Sequence, residues 1–204
     1  MKNQQKRNLK KKSKNNKKSI KREQSKFNIG IDFGGVLSVH DSKNINDAGS
    51  EHKNTSINMP YAKEALKTLK NLDHNLFFVS YCGRSRARET SLSIKNNNLD
   101  NLFEKQYYVR SKEFKNELCK YIGCHFMIDD NERILDNIKN NNPSIVTILF
   151  GDHHSRTAGE NQSNKHKIAK HWHDVLDIIN STQYFESVKD TKINLKNYIY
   201  SVDL

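Results

Sequence analysis

Proline and cysteine are scarce in this chain, and no apolar run in it is long. Only two prolines occur in 204 residues, and Pro60 and Pro143 each fall where the surrounding pattern starts or stops a helix. Three cysteines, Cys82, Cys119 and Cys124, make an odd count with no Cys-x-x-Cys pair, which argues against a disulfide framework and a thiolate zinc site. A reducing compartment is the expectation, and Cys82 has no partner base nearby in sequence. No apolar stretch is long enough to span a bilayer, and the N-terminal residues lack the apolar centre of a secretory signal. The expected location is intracellular, cytoplasmic or nuclear, without a membrane partner.

The net charge of +12 is unevenly distributed. Residues 1–26 carry ten Lys, two Arg and one Glu, so almost all of the excess lies there, and the remaining 178 residues carry 23 basic and 22 acidic side chains. With so few apolar residues, 1–26 reads as a disordered basic arm able to contact nucleic-acid phosphates or act as a nuclear address. Residues 27–181 read as one α/β domain, and 182–204 as a weakly patterned tail.

The stretch Phe27-Asn28-Ile29-Gly30-Ile31-Asp32-Phe33-Gly34-Gly35-Val36 is an apolar strand that delivers one carboxylate to a double-glycine turn. Such a turn exposes backbone N–H groups and admits a phosphate or metal closely. A polar segment from Ser38 to Asn58 follows as a loop or flap. Helical spacing of Ala62, Ala65, Leu66 and Leu69 then precedes a buried strand at Leu76–Val79 that ends at Ser80. A helix over 85–96 carries Arg84, Arg86 and Arg88 at its start. A strand around Tyr107–Val109, a helix over 111–122 and a strand at His125–Ile128 bring the chain to Asp129-Asp130. Ile145–Phe150 is a further strand. Ile168, Trp172, Val175, Leu176 and Ile179 mark a last helix, with His166, His171 and His173 read as its polar face.

Alternating strands and helices predict a three-layer, Rossmann-like parallel sheet, in which ligands bind beyond the strand C-termini. Asp32, Ser80, Asp129, Asp130 and the group Asp152-His153-His154 all fall at such ends. Carboxylates converging from different strands are the oxygen donors that Mg²⁺ prefers. A Lys one helix upstream of the Asp pair, Lys115 or Lys112, can neutralise phosphate charge.

These residues, in this order, resemble the haloacid dehalogenase-like phosphatase superfamily. Asp32-Phe33-Gly34-Gly35-Val36 is similar to its first motif, Ser80 to its second, Lys115 (alternatively Lys112) to its third, and Asp129-Asp130 to its fourth. The resemblance implies a Mg²⁺-dependent phosphohydrolase, phosphatase or nucleotidase-like, in which Asp32 is the nucleophile and forms an aspartyl-phosphate. It further implies Mg²⁺ held by Asp32, the Gly34 carbonyl, Asp129 and Asp130, with Ser80, Lys115 and the N–H groups of Gly34 and Gly35 on the phosphoryl oxygens. Arg84 would contact an extended anionic substrate. The short segments between motifs imply a minimal cap or none, hence an open site suited to a small phosphate or a nucleic-acid end.

One position departs from the pattern. Gly34 stands where the superfamily usually places the Asp that protonates the leaving group, and His40, His153 and His154 are candidate substitutes. The alternative reading is a catalytically impaired module of the same fold that binds nucleic acid or protein through its basic arm. The first stretch also resembles the phosphate loop of actin-like sugar kinases, but the chain lacks residues for the second domain that fold requires.

Overall fold

The computed structural model describes residues 26–39, 56–151, 165–182 and 199–200. The basic arm (apart from Lys26), most of the flap, His40 and the Asp152-His153-His154 group lie outside them. Six strands form one parallel sheet: β1 (Asn28–Ile31), β2 (Asn75–Tyr81), β3 (Phe103–Val109), β4 (Phe126–Asp129), β5 (Val146–Phe150) and β6 (Lys167–Ala169). Five α-helices connect or flank them: α1 (Ala62–Asn71), α2 (Arg84–Asn96), α3 (Phe114–Tyr121), α4 (Glu132–Asn141) and α5 (Trp172–Ser181). The strand order is β3-β2-β1-β4-β5-β6, and every pairing between these strands is parallel.

Alternation along the strands divides the core into two layers. Ile29, Ile31, Phe78, Phe126 and Ile128 point to one face, where α1, α2 and α5 cover them with Leu66, Leu69, Ile94, Trp172 and Val175. Val79, Met127 and Leu149 point to the other, under Leu118 and Cys119 of α3 and Leu135 and Ile138 of α4. Each sheet face is thereby sealed by helices, as an all-parallel sheet requires. Gly30 lets the layers close: a Cβ there would stand 2.7 Å from the Met127 sulfur.

The order of strands sets the site. Connections from β1 run outward through β2 to β3, and then return across β1 to β4 and outward again to β6. The direction reverses between β1 and β4, and a crevice at the strand C-termini opens at such a reversal. Asp32 follows β1 directly and Asp129 ends β4, with Ile31 paired to Ile128.

Two expectations fail near the C-terminus. Ile168 belongs to the three-residue strand β6 and is 53% exposed, so the last helix begins only at Trp172. His166 is not on a polar helix face. It is buried ahead of β6, 2.7 Å from Thr147 Oγ1 and 3.2 Å from Asp136 Oδ1, and burial pulls its pKa below the usual imidazole range. His171 instead caps α5, in a reciprocal box with Asp174. No helix among the described residues is long and apolar enough to cross a membrane.

Candidate active site at the ends of β1 and β4

Asp32, Asp129 and Asp130 converge, each offering a carboxylate oxygen within 4.8 Å of the others. Asp129 is fully buried and both its oxygens are engaged. Its Oδ1 accepts from the Asn131 N–H at 2.9 Å, and its Oδ2 accepts from Lys115 Nζ at 2.7 Å. The same ammonium lies 2.9 Å from Asp32 Oδ1, an ion pair whose angle leaves that buried oxygen without an aligned hydrogen bond. Of the two candidate lysines, Lys115 is the one placed among these carboxylates. Lys115 is fully buried between two of the carboxylates, whereas Lys112 lies before α3 with its ammonium 5.9 Å from the Tyr81 ring centroid.

Burial works against the charges of both Lys115 and Asp129. Desolvation alone would pull Lys115 down, but attraction to Asp129 and Asp32 outweighs it and holds the ammonium above its ordinary pKa. Desolvation pushes the Asp129 carboxyl up to about 7, against the attraction of Lys115 and with the repulsion of Asp32. The Lys115 shift comes from its carboxylate neighbours and the Asp129 shift first from burial, and one ammonium against three carboxylates leaves the crevice short of positive charge. A divalent cation would supply the missing charge. Hard oxygen donors, an excess of negative charge and an unaligned buried Oδ1 on Asp32 together fit a hard divalent cation.

The double-glycine turn seats the third carboxylate. Gly35 has φ +69°, and a Cβ on it would stand 2.2 Å from Asp130 Oδ2 and 2.5 Å from Asp130 Cγ. Both the left-handed backbone and the contact demand glycine. Gly35→Ala is therefore expected to cost about 1–3 kcal/mol and to displace Asp130. Urea unfolding would register the first effect, and weakened Mg²⁺ binding the second.

The amide of Gly35 differs from the expectation. It donates to the Ser38 carbonyl at 2.8 Å, while Val36, Leu37 and Ser38 donate to the Phe33 carbonyl. Gly35 is thus a seat for Asp130, its N–H already engaged, rather than a phosphate donor. The amides of Phe33 and Gly34 donate to none of these turn carbonyls. Trp172 pins the turn from behind, its indole N–H donating to the Val36 carbonyl at 2.9 Å from a fully buried position. Sequence reading placed Trp172 in the core but missed this role. That it is the chain's only tryptophan was the available signal.

Ser80 is buried near the end of β2, level with Tyr108 of β3, so it reaches the same rim. Arg84 opens α2 but turns sideways, its guanidinium carbon 5.9 Å from the centre of the Tyr200 ring. Asp129 and Asp130 are not the cap of the following helix. Asn131 fills that position, accepting from the Ile134 N–H at 3.3 Å.

The fold and this crevice can be set beside solved structures. A HAD-superfamily hydrolase from Ehrlichia chaffeensis superposes with a TM-score of 0.51 at 14% identity, over 76% of this chain and 97% of that one. The D,D-heptose 1,7-bisphosphate phosphatase of B. bronchiseptica, solved with magnesium and phosphate, gives 0.56 at 10% identity over 75% and 97%. The likeness is one of fold: this chain folds as a HAD-superfamily hydrolase does. An uncharacterised protein from Listeria monocytogenes serotype 4b superposes with a TM-score of 0.52 at 12% identity, over 76% of this chain and 99% of that one. No family model and no curated protein matches the sequence. Within this HAD-like fold the residues expected for motifs one, three and four meet at one point, and Ser80 stands on the neighbouring strand.

Proposed function

We propose that this protein is a Mg²⁺-dependent phosphohydrolase that works through an aspartyl-phosphate on Asp32. The observation that carries the reading is the buried Lys115 held between Asp32 and Asp129, with Asp130 completing a three-carboxylate cluster. A merely structural ion pair needs one carboxylate per ammonium, and a second buried acid with a half-buried third only adds cost. Mg²⁺ held by Asp32, Asp129 and Asp130, with the Gly34 carbonyl, would draw negative charge off the phosphoryl oxygens. The B. bronchiseptica phosphatase of like fold, solved with magnesium and phosphate, supports that choice of ion and ligand.

In this reading a carboxylate oxygen of Asp32 attacks phosphorus as the ester bond breaks, and water then cleaves the acyl phosphate to release inorganic phosphate. Lys115 fixes the Asp32 carboxylate and offsets charge developing on the phosphoryl group. Ser80 and the amides of Phe33 and Gly34 supply donors for the phosphoryl oxygens. Gly34 brings no acid to the leaving group, so aryl phosphates, whose leaving groups need little protonation, are the favoured test substrates.

Two outcomes are expected. Hydrolysis of p-nitrophenyl phosphate should require Mg²⁺ and vanish in Asp32→Asn, with no change in the folded spectrum. Wild-type protein inert towards aryl phosphates at saturating Mg²⁺ would instead favour a binding module of the same fold. Mg²⁺ at ten times its Kd should also stabilise the protein by about 1.4 kcal/mol, and Asp129→Asn should remove that thermal shift.

A further inference from the structure

The β3 side of the sheet carries a second feature, beside the crevice and not used by the chemistry above. Ile199 forms an antiparallel bridge with Val109, and the Tyr200 N–H donates to the Tyr108 carbonyl at 2.9 Å. This lays the Tyr200 ring against two guanidinium groups, with the carbon of Arg84 at 5.9 Å and that of Arg110 at 5.2 Å from its centre. One register step away, Tyr81 is 45% exposed and has the Lys112 ammonium 5.9 Å from its ring centre. Cations and aromatic rings are thus interleaved along the C-terminal rim of β2 and β3.

Below this rim a cleft of about 270 Å³ follows β3, lined by Ser91, Gln106, Tyr108 and Tyr200 among others. Its lining is of the kind that reads a hydrogen-bonding ring. Gln106 Oε1 accepts from Tyr108 Oη at 2.8 Å and from Ser91 Oγ at 3.2 Å, so the Gln106 carboxamide is held in place by its oxygen. Among the described residues, two nearby acidic side chains are already engaged. Glu104 pairs with Lys70, and Glu113 accepts from Ser111 at 2.6 Å. The first turn of α2 holds no acid.

We propose that this edge binds the terminal nucleotides of a single-stranded nucleic acid, and that the strand's end phosphate is the substrate of the Asp32 site. The proposal rests on the phosphohydrolase reading and names its substrate class. Arg84 and Arg110 would hold backbone phosphates, and the Tyr81 ring and the cleft would take bases. Such mixed cationic and aromatic surfaces grip single strands because every base has a stacking face and every linkage a charge. β3 lies two strands from β1, about 10 Å at the usual spacing, so a strand lying on the edge can present its end to Asp32. A phosphorylated peptide would use the cations but would leave the aromatic faces and the polar cleft without a role.

The test uses the full chain and its Arg110→Glu/Tyr200→Ala variant, with Arg110→Gln alone as a milder change at an exposed position. Three probes are compared: a short single-stranded oligonucleotide with a terminal phosphate, a phosphotyrosine peptide of similar length, and p-nitrophenyl phosphate. The expected result is a fall of about tenfold or more in kcat/KM for the oligonucleotide, as loss of a stacked base and a phosphate contact would give, with aryl phosphate changed by less than about twofold. Anisotropy of the labelled oligonucleotide should lose about 0.7 from its salt slope with Arg110→Gln, one phosphate contact fewer. An oligonucleotide whose turnover and salt slope ignore all these changes overturns the proposal, as does a peptide that loses turnover where the oligonucleotide does not. If aryl phosphate is hydrolysed but the oligonucleotide is neither bound nor cleaved, this inference fails alone. If nothing is hydrolysed yet binding depends on Arg110, the phosphohydrolase reading fails and the strand-binding edge stands.

Discussion

Lys115→Met should destabilise the metal-free protein by about 3–5 kcal/mol, the largest single-residue loss expected in this chain. The methionine fills much of the same volume, so packing is nearly preserved and the effect is electrostatic. Removing the ammonium leaves Asp32 and Asp129 facing each other without a counter-charge in a crevice where both are almost wholly buried. Asp129 can relieve part of this by taking up a proton, since burial already holds its pKa near 7. Urea unfolding at mildly alkaline pH, where that relief is weakest, gives the clearest reading. Adding Asp129→Asn to Lys115→Met should recover part of the loss, because the second change removes a charge that the first had stranded. A loss below about 1 kcal/mol for Lys115→Met would mean that the ammonium is not the counter-charge of this cluster.

The second large effect is a gain. Gly34→Asp should raise turnover of an alkyl phosphate by about 10²–10⁴-fold, the usual worth of a positioned general acid and base. The backbone allows the change. Gly34 is not among the glycines of positive φ, unlike its neighbour Gly35, so a side chain at 34 meets no conformational penalty of that kind. In kcat/KM, which reports only the step that forms the aspartyl-phosphate, the gain should be smaller with p-nitrophenyl phosphate, whose leaving group needs little protonation, and that contrast separates acid catalysis from a general improvement in folding. Unchanged turnover of both substrates would indicate that another group already supplies the proton, or that breakdown of the aspartyl-phosphate is not limiting.

Much of the crevice was legible in the sequence because strand ends are. Asp32, Ser80 and Asp129 each close an apolar, β-branched or aromatic run, and in a parallel sheet such ends share one rim. The choice between Lys115 and Lys112 was also available: Lys115 falls at helical spacing from Leu118 and Cys119, so it shares the inward face of α3. What stayed hidden depends on contacts between distant segments. Nothing in a double glycine says that the second amide turns back to Ser38 or that the same residue lies under Asp130. Strand β6 has three residues and an exposed centre, so Ile168 matched the helical period of α5 by coincidence. The Arg110 and Tyr200 contact joins the residue just after β3 to a tail, and their local patterns gave no reason to pair them.

The most direct test of the account is chemical trapping of the intermediate. With no acidic side chain at position 34 to activate water, the acyl phosphate should break down slowly and accumulate during turnover of p-nitrophenyl phosphate with Mg²⁺. Quenching with borohydride reduces an aspartyl-phosphate to homoserine, which mass spectrometry locates in the chain. The expected result is homoserine at position 32 alone, absent when Mg²⁺ is chelated and absent in Asp32→Asn. Turnover without modification at Asp32, or a phosphoryl group trapped on another residue, would contradict it.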